Sequence, residues 1–234
     1  MDYWIKNISK ICITILFIGS MTGQSISFST IADGLSQTIS NRNAQMILFG
    51  GLIGSGIASK YDQSFQSEVQ SNGLMPNGIA RVGDYWGFTG QLLLWGSLLN
   101  NDNKNSQMGY AVNAFLANGF ITYMLKFGVR RERPDQSNTR SFPSGHTSNS
   151  FLTATIVQEV YGSKIGVPAY LMACITGLSR IHHNKHYVSD IIFGAALGTA
   201  IGKGFGQIYR NNLNPKIGIS PQTNQLQINL IWDL

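Results

Sequence analysis

A histidine and an aspartate four positions apart, His186 and Asp190, are the clearest candidates for chemistry in this sequence. On a helix this spacing puts both side chains on one face, where the carboxylate can hold one imidazole nitrogen. The other nitrogen is then free to attack an electrophile. Arg180 precedes this pair, and its guanidinium fork matches two oxygens of a phosphate. The segment therefore indicates a histidine nucleophile beside an anion-binding arginine.

A zinc site is the alternative interpretation of the same segment, because His182, His183 and His186 are clustered. Two adjacent histidines point in different directions on a helix, and no nearby Cys or Glu completes a ligand set. We therefore predict no metal and no other cofactor. We assign no catalytic role to His182 or His183.

The densest positive charge lies between residues 126 and 140. If a helix continues for two turns there, Lys126 and Arg133 project from nearly the same face, and Pro134 then forces the chain out of the helix. Both side chains can reach one anion, although a solvated basic helix end, which complements the helix dipole, is the alternative.

A helix entry follows in the sequence SFPSGHT, residues 141–147. Exposed N–H groups at a helix start bind anions, Gly145 permits close approach, and the Ser144 hydroxyl adds a donor. His146 would lie in the first turn. An ordinary N-cap followed by a hydrogen-bonded histidine is the alternative.

Taken together, the three segments resemble the tripartite signature of the PAP2 superfamily, which includes lipid phosphate phosphatases, bacterial class A acid phosphatases and vanadium haloperoxidases. Lys126 with Arg133-Pro134 matches the first part, residues 143–146 match the second, and Ser179-Arg180 with His186 and Asp190 matches the third. The resemblance spans residues 126–190. It implies a PAP2-type helical bundle and a phosphoric ester hydrolase.

The resemblance also implies a role for each matched residue. His186 is implied as the nucleophile that forms a phosphohistidine, Asp190 as its orienting partner, and His146 as the acid that protonates the leaving alcohol. The implied phosphate ligands are Lys126, Arg133, Ser144, Gly145 and Arg180. No metal is needed in this scheme.

The pattern of apolar runs separated by Gly, Pro and polar clusters predicts an all-α fold with about six core helices. We expect the helices near residues 44–60, 84–100, 106–127, 144–161, 164–180 and 186–208. Residues 26–43 predict a short helix with a loop. Residues 63–77 predict a loop or broken helix at the rim of the site.

Three further patterns carry structural predictions. Gly194, Gly198 and Gly202 recur every fourth residue, which favours tight helix packing. Cys174 lies in an apolar run and is predicted to be a small core residue. The last eighteen residues alternate apolar and polar side chains, which predicts a strand that can form a C-terminal β-hairpin.

The N-terminus predicts export, because Lys6 and Lys10 precede an apolar stretch at residues 11–18. We interpret residues 1–23 as a signal peptide or an uncleaved anchor, 24–212 as the phosphatase domain and 213–234 as a tail. The expected location is the periplasm, either soluble or membrane-associated.

Charged residues make up 12% of the sequence and hydrophobic residues 43%, a composition that lies between a water-soluble bundle and a multi-pass membrane protein. The sequence favours the largely soluble bundle.

The expected partner is a phosphorylated small molecule or lipid rather than nucleic acid. The formal net charge of +6 suits such an anion. Lipid phosphates, isoprenoid diphosphates and small phosphomonoesters remain open as substrates. Two other functions compete with hydrolysis. Vanadate is phosphate-shaped, so the same residues suit a vanadium-dependent haloperoxidase, and the basic residues alone suit non-catalytic binding of phospholipid headgroups.

Overall fold

The computed structural model describes residues 28–213, 216–222 and 225–231, and in that part of the chain eight helices precede a two-stranded hairpin. The helices are α1 Phe28–Ser40, α2 Arg42–Ala58, α3 Asp62–Asn72, α4 Asn77–Leu99, α5 Lys104–Val129, α6 Gly145–Tyr161, α7 Ser163–His182 and α8 Val188–Leu213. The strands, β1 Lys216–Gln222 and β2 Gln225–Ile231, pair antiparallel, with Ile219 opposite Ile228. The prediction of an all-α bundle is confirmed. The predicted signal segment, residues 1–23, lies outside the described residues.

The six predicted core helices correspond to α2 and α4–α8, but α4 begins at Asn77, seven residues before the expected start. The loop or broken helix predicted for residues 63–77 is a helix over Asp62–Asn72 that ends at Gly73, with α4 beginning at Asn77. Its Ser- and Gln-rich sequence has little apolar periodicity. The helix is held by tertiary contacts instead: Asp62, Gln66 and Val69 are buried, and Gln66 Nε2 donates to the Ile181 carbonyl (3.1 Å) and to Asn184 Oδ1 (2.8 Å).

The core lies where α5, α6 and α8 meet, and burial of apolar side chains there is the main source of stability. Its fully buried members include Met108, Leu152, Ile156 and Ile201.

The repeated glycines of α8 allow α6 to approach closely, so the prediction of tight packing is confirmed. A Cβ on Gly198 would lie 2.0 Å from the Ser148 carbonyl oxygen, and one on Gly194 would lie 2.7 Å from the Ser144 carbonyl oxygen. The N-terminal turn of α6 is thereby seated against the N-terminal half of α8.

The outside of the bundle carries many large apolar side chains. Phe49, Tyr85, Phe88 and Phe120 are each between 64% and 72% exposed. Similar side chains cover α2, α4, α5 and α7, including Met46, Leu52, Ile53, Ile57, Leu92, Leu93, Met124, Phe127, Val167 and Leu171. By length and composition, α8 is the one helix of the described residues that suits a membrane span, and more than half of it is buried inside the bundle.

The prediction that Cys174 is a core residue is wrong, because its side chain is exposed. The apolar run of α7 has two faces. Its small residues Ala173 and Gly177 face the bundle, whereas Leu171, Cys174 and Leu178 share the outer face.

Candidate active site

The three segments singled out in the sequence meet at one end of the bundle. They are the end of α5 with the loop that follows it, the start of α6, and the turn between α7 and α8. The backbone N–H of Ser144 donates to the Asp190 carbonyl (3.1 Å), which joins the start of α6 to the first turn of α8. His146 and His186 both lie within electrostatic range of Lys126 and Arg133.

His186 lies in the turn between α7 and α8 and is only 1% exposed. Its Nδ1 is 3.7 Å from Asp190 Oδ2 and has no hydrogen-bond partner among the described residues. Burial lowers the pKa of His186 to about 3, because the charged imidazolium loses its hydration and the nearby Asp190 carboxylate offsets only part of that loss. The ring is therefore neutral over the physiological pH range, as a nucleophile must be.

Asp190 is fully buried and its two oxygens are held from different directions. Oδ2 accepts from Ser141 Oγ (2.5 Å) and from the Tyr187 backbone N–H (2.9 Å), whereas Oδ1 accepts from Arg131 Nη1 (2.8 Å). A carboxylate with this many donors keeps its orientation and its charge without needing to move toward solvent.

Arg131 continues this network to a second buried carboxylate. Its Nη2 donates to Asp62 Oδ2 (2.7 Å), and Asp62 also accepts from the backbone N–H of Ser189 (3.1 Å). Asp62 is 2% exposed and begins α3, and the sequence analysis did not assign it to the site. Sequence reasoning also missed Arg131. The available signal was its place in the basic segment, where it was one of several arginines.

Arg180 is paired with a carboxylate that the sequence did not indicate. Its guanidinium contacts Asp84 of α4, which also accepts from Ser179 Oγ (2.8 Å) and lies 2.8 Å from His183 Nδ1. The approach depends on Gly83, since a Cβ there would lie 2.7 Å from the Ile175 carbonyl oxygen. Arg180 Nε is buried and has no hydrogen-bond partner among the described residues. It is a buried donor without an acceptor in that part of the chain.

Lys126 and Ser144 make contacts that differ from those expected of phosphate ligands. The ammonium of Lys126 donates to the carbonyls of Arg140 (2.8 Å) and Pro143 and is nearly buried. The Ser144 hydroxyl pairs with Thr147 Oγ1 (2.9 Å). Both side chains hold the loop that leads into α6, and their roles as phosphate ligands stay predictions.

Two further predicted residues, Gly145 and His146, lie in the first turn of α6. Gly145 is the first residue of α6, close to Lys126: a Cβ on it would lie 3.8 Å from Lys126 Cε. His146 is exposed in the first turn of α6, and Gly87 of α4 leaves room for its ring, because a Cβ there would lie 3.4 Å from His146 Cδ2. His146 is therefore accessible from outside, unlike His186.

No group of three or more His, Cys, Asp or Glu side chains that could hold a metal ion occurs among the described residues. His182 contacts Asn77 (2.9 Å) and His183 contacts Asp84, so these two histidines face the start of α4. That arrangement does not favour the zinc alternative. A metal-independent reaction stays a prediction.

The bundle and its convergent cationic and histidine residues define a class. Residues 107–213, just under half of the chain, match the family model described as the PAP2 superfamily. All eight predicted site residues fall within the matched region. The chain is similar to a lipid A 1-phosphatase of Porphyromonas gingivalis, 37% identical over 122 residues, which cover 50% of this chain and 25% of the relative.

Two further comparisons agree. A decaprenylphosphoryl-5-phosphoribose phosphatase of Mycobacterium tuberculosis is 30% identical over 120 residues, which cover 47% of this chain and 66% of the relative. The chain thus spans only part of the length of the curated relatives that it matches. A crystal structure of Aquifex aeolicus LpxE superposes with a TM-score of 0.51 at 20% identity, over 59% of this chain and 92% of that one. This likeness supports the fold.

Proposed function

We propose that the protein is a phosphatase that removes a phosphate monoester group from a membrane lipid through a histidine-bound intermediate. The observation that carries the proposal is the buried, neutral His186 directed at Asp190, whose two oxygens are fixed by three donors. A nucleophile with an orienting carboxylate is more than anion binding requires.

In the proposed reaction, His186 Nε2 attacks phosphorus and the bond from phosphorus to the ester oxygen breaks in line. In the free protein, loss of hydration lowers the pKa of His146 to about 4; the negative charge of the bound phosphate raises that pKa, so that His146 takes up a proton with the substrate. His146 then gives this proton to the departing oxygen, and the lipid alcohol leaves neutral. A water molecule then attacks the phosphohistidine and returns its proton to His146. Inorganic phosphate leaves and the His186 ring is restored.

The charge that develops on the phosphoryl oxygens would be stabilised by fixed donors rather than by newly ordered water. Arg133 lies in the loop after α5, and Arg180 lies near the end of α7. The backbone N–H groups at the start of α6 add the positive end of a helix dipole. The unpartnered Arg180 Nε supports this assignment, because a buried donor without an acceptor is costly unless a ligand completes it.

A lipid substrate is supported by the apolar exterior, which reaches the rim of the site. Phe127 and Val129 flank the end of α5 next to Lys126, and Tyr85 and Phe88 flank Asp84 on α4; all four are at least half exposed. Exposed apolar faces of this extent mark membrane contact rather than a water-soluble surface. We therefore propose that the bundle is inserted in a membrane, which reverses the preference drawn from composition. The names of the relatives, a lipid A phosphatase and a decaprenyl-linked phosphatase, agree with a lipid substrate. Export to the periplasmic side stays a prediction from residues 1–23.

The test is release of inorganic phosphate from phosphatidic acid in uncharged detergent micelles by the purified full chain, with His186→Ala as the matched control. We expect turnover by the parent chain only. Equal release from both would show that the phosphatase is a contaminant or that another residue attacks. Two outcomes would support the competing functions: halide oxidation after addition of vanadate and peroxide would indicate a haloperoxidase, and tight lipid binding without phosphate release would indicate a headgroup-binding protein.

A further inference from the structure

A cavity lies beside the candidate active site, at the end of α5. Its volume is about 260 Å³ and it is lined by Lys126, Phe127, Arg130, Thr139 and Arg140. This is slightly below the range of about 300–1,000 Å³ typical of sites for whole small molecules. It suits one polar fragment of a larger ligand.

Two arginines of this cavity have no counter-charge among the described residues. Arg130 and Arg140 form no ion pair there, whereas Arg131, Arg180 and Lys185 are each paired with an aspartate. Like charges placed together without carboxylates repel, and an anionic ligand would relieve that repulsion.

The backbone of Arg130 and the side chain of Arg140 each show a specific arrangement. Arg130 ends α5 with φ at 51°, a left-handed conformation that is unfavourable for a side chain other than Gly, Asn or Asp. Such conformations persist where the surroundings fix them. The Arg140 guanidinium lies over the Phe127 ring, 5.0 Å from its centroid.

The cavity adjoins the predicted phosphate ligands, because Lys126, one of them, lines it. The Lys126 ammonium donates to the Arg140 carbonyl (2.8 Å), and the Arg140 side chain lies within electrostatic range of Lys126 and Arg133. A ligand with one phosphate beside His186 can therefore extend a neighbouring group into this cavity.

We propose that Arg130 and Arg140 bind a second phosphate of the substrate headgroup, so that the protein favours lipids carrying two phosphates over lipids carrying one. This inference rests on the proposed lipid phosphatase function and names its substrate class. Arginine forks match phosphate oxygens, and Lys126 adds a positive charge from the wall that the two sites share. Phe127 lines the cavity, and Met124 and Val129 are exposed on the same helix, so the acyl chains of the same ligand have an apolar surface near it.

The experiment compares two lipids with the same acyl chains in uncharged detergent micelles. Phosphatidic acid carries one phosphate, and phosphatidylglycerophosphate carries a terminal monoester and a second, internal phosphate. Both release an alcohol when the monoester is cleaved. The quantity measured is kcat/KM for phosphatidylglycerophosphate divided by kcat/KM for phosphatidic acid. This ratio is determined for the parent chain, Arg130→Asn, Arg140→Gln and the double variant. Asn tolerates the left-handed backbone of position 130. The control is Arg81→Gln, an exposed arginine at the same end of the bundle that does not line the cavity.

We expect the ratio to fall roughly 3- to 10-fold for each single variant, as is reasonable for a partly exposed charge-assisted contact, and to stay unchanged for Arg81→Gln. Equal losses for both lipids, or no loss for either, would overturn the proposal. A vesicle-binding measurement distinguishes binding of the substrate headgroup from binding of the membrane surface. If the variants bind vesicles containing phosphatidylglycerol less well but keep the parent ratio in micelles, the arginines contact the membrane surface and the proposal is wrong.

The failure of this inference is distinguishable from the failure of the proposed function. If the parent chain hydrolyses neither lipid, the proposed phosphatase activity is wrong, and the same comparison is made on the dissociation constants of the two lipids. Tighter binding of the two-phosphate lipid that is lost in the double variant would still support the second site. Equal affinities would reject it.

Discussion

The Nη1 atom of Arg131 lies 2.8 Å from Asp190 Oδ1, which ties the carboxylate beside the candidate nucleophile to a residue that is not one of the matched motif positions. The other end of the same guanidinium, Nη2, is 2.7 Å from Asp62. The orientation of Asp190 therefore depends on α3, a helix that lies before the family-matched region of residues 107–213.

Asp62→Asn is expected to lower kcat without a matching rise in KM, because Asp62 contacts Arg131 rather than the proposed phosphate site. Loss of a group that orients a functional side chain typically costs about 10- to 100-fold. The measurement is steady-state hydrolysis of phosphatidic acid, with the exposed Asp102→Asn as control. A pure folding defect would instead lower the amount of active protein and leave kcat per active site unchanged, as titrated by trapped phosphoenzyme.

The sequence could predict a contact of this site where the two residues lie close together along the chain, and could not where they lie far apart. The spacing of His186 and Asp190 is local, so the pair was readable from the sequence. Asp62 and Asp84 are far along the chain from Arg131 and Arg180, and nothing in their surroundings marks them as site residues. For the same reason the sequence could not decide between a loop and a broken helix over residues 63–77, since buried Gln66 makes contacts with Ile181 and Asn184 that only the tertiary structure creates.

Membrane insertion is expected to survive removal of the N-terminal segment. A chain that begins at residue 24 still carries the exposed apolar faces of α2, α4 and α5, which need lipid or detergent. We expect it to remain in the membrane fraction after washing with alkaline carbonate and to aggregate when detergent is removed. A monodisperse species in detergent-free buffer would restore the soluble bundle that composition favoured.

Activity is expected to persist in excess chelator and to be inhibited by vanadate, which mimics the phosphoryl group in transit. The proposed stabilisation comes from arginine side chains and helix N–H groups rather than from a metal. Phosphate release is measured after dialysis against chelator, with and without added Zn²⁺ or Mg²⁺. Loss of turnover that a metal restores would contradict the scheme.

The acid limb of the kcat/KM profile is expected below about pH 5, because the neutral form of His186 persists until the pH approaches its lowered pKa of about 3. The sign follows from burial: a lowered pKa keeps the nucleophile unprotonated as pH falls through the usual range of histidine. Asp190→Asn removes a charge that favours the imidazolium, so the acid limb should not move upward. The prediction is wrong if the acid limb lies near pH 6.5 after correction for substrate ionisation and a direct titration of His186 gives the same value.

The sharpest prediction separates His186 from His146, because the proposed mechanism gives them different steps. His186→Ala should abolish turnover and trapped phosphoenzyme with every substrate, since no covalent intermediate forms without the nucleophile. His146→Ala should lower the rate for alkyl phosphates by about 10²- to 10⁴-fold, the usual cost of losing a general acid. An aryl phosphate, whose leaving group departs without a proton, should lose less in the first step. Phosphohistidine should then accumulate on the His146 variant, because the water that attacks it also lacks the base that accepts its proton. Rapid acid quench of both variants decides the assignment: a phosphoenzyme on the His186 variant and none on the His146 variant would mean that the two roles are exchanged.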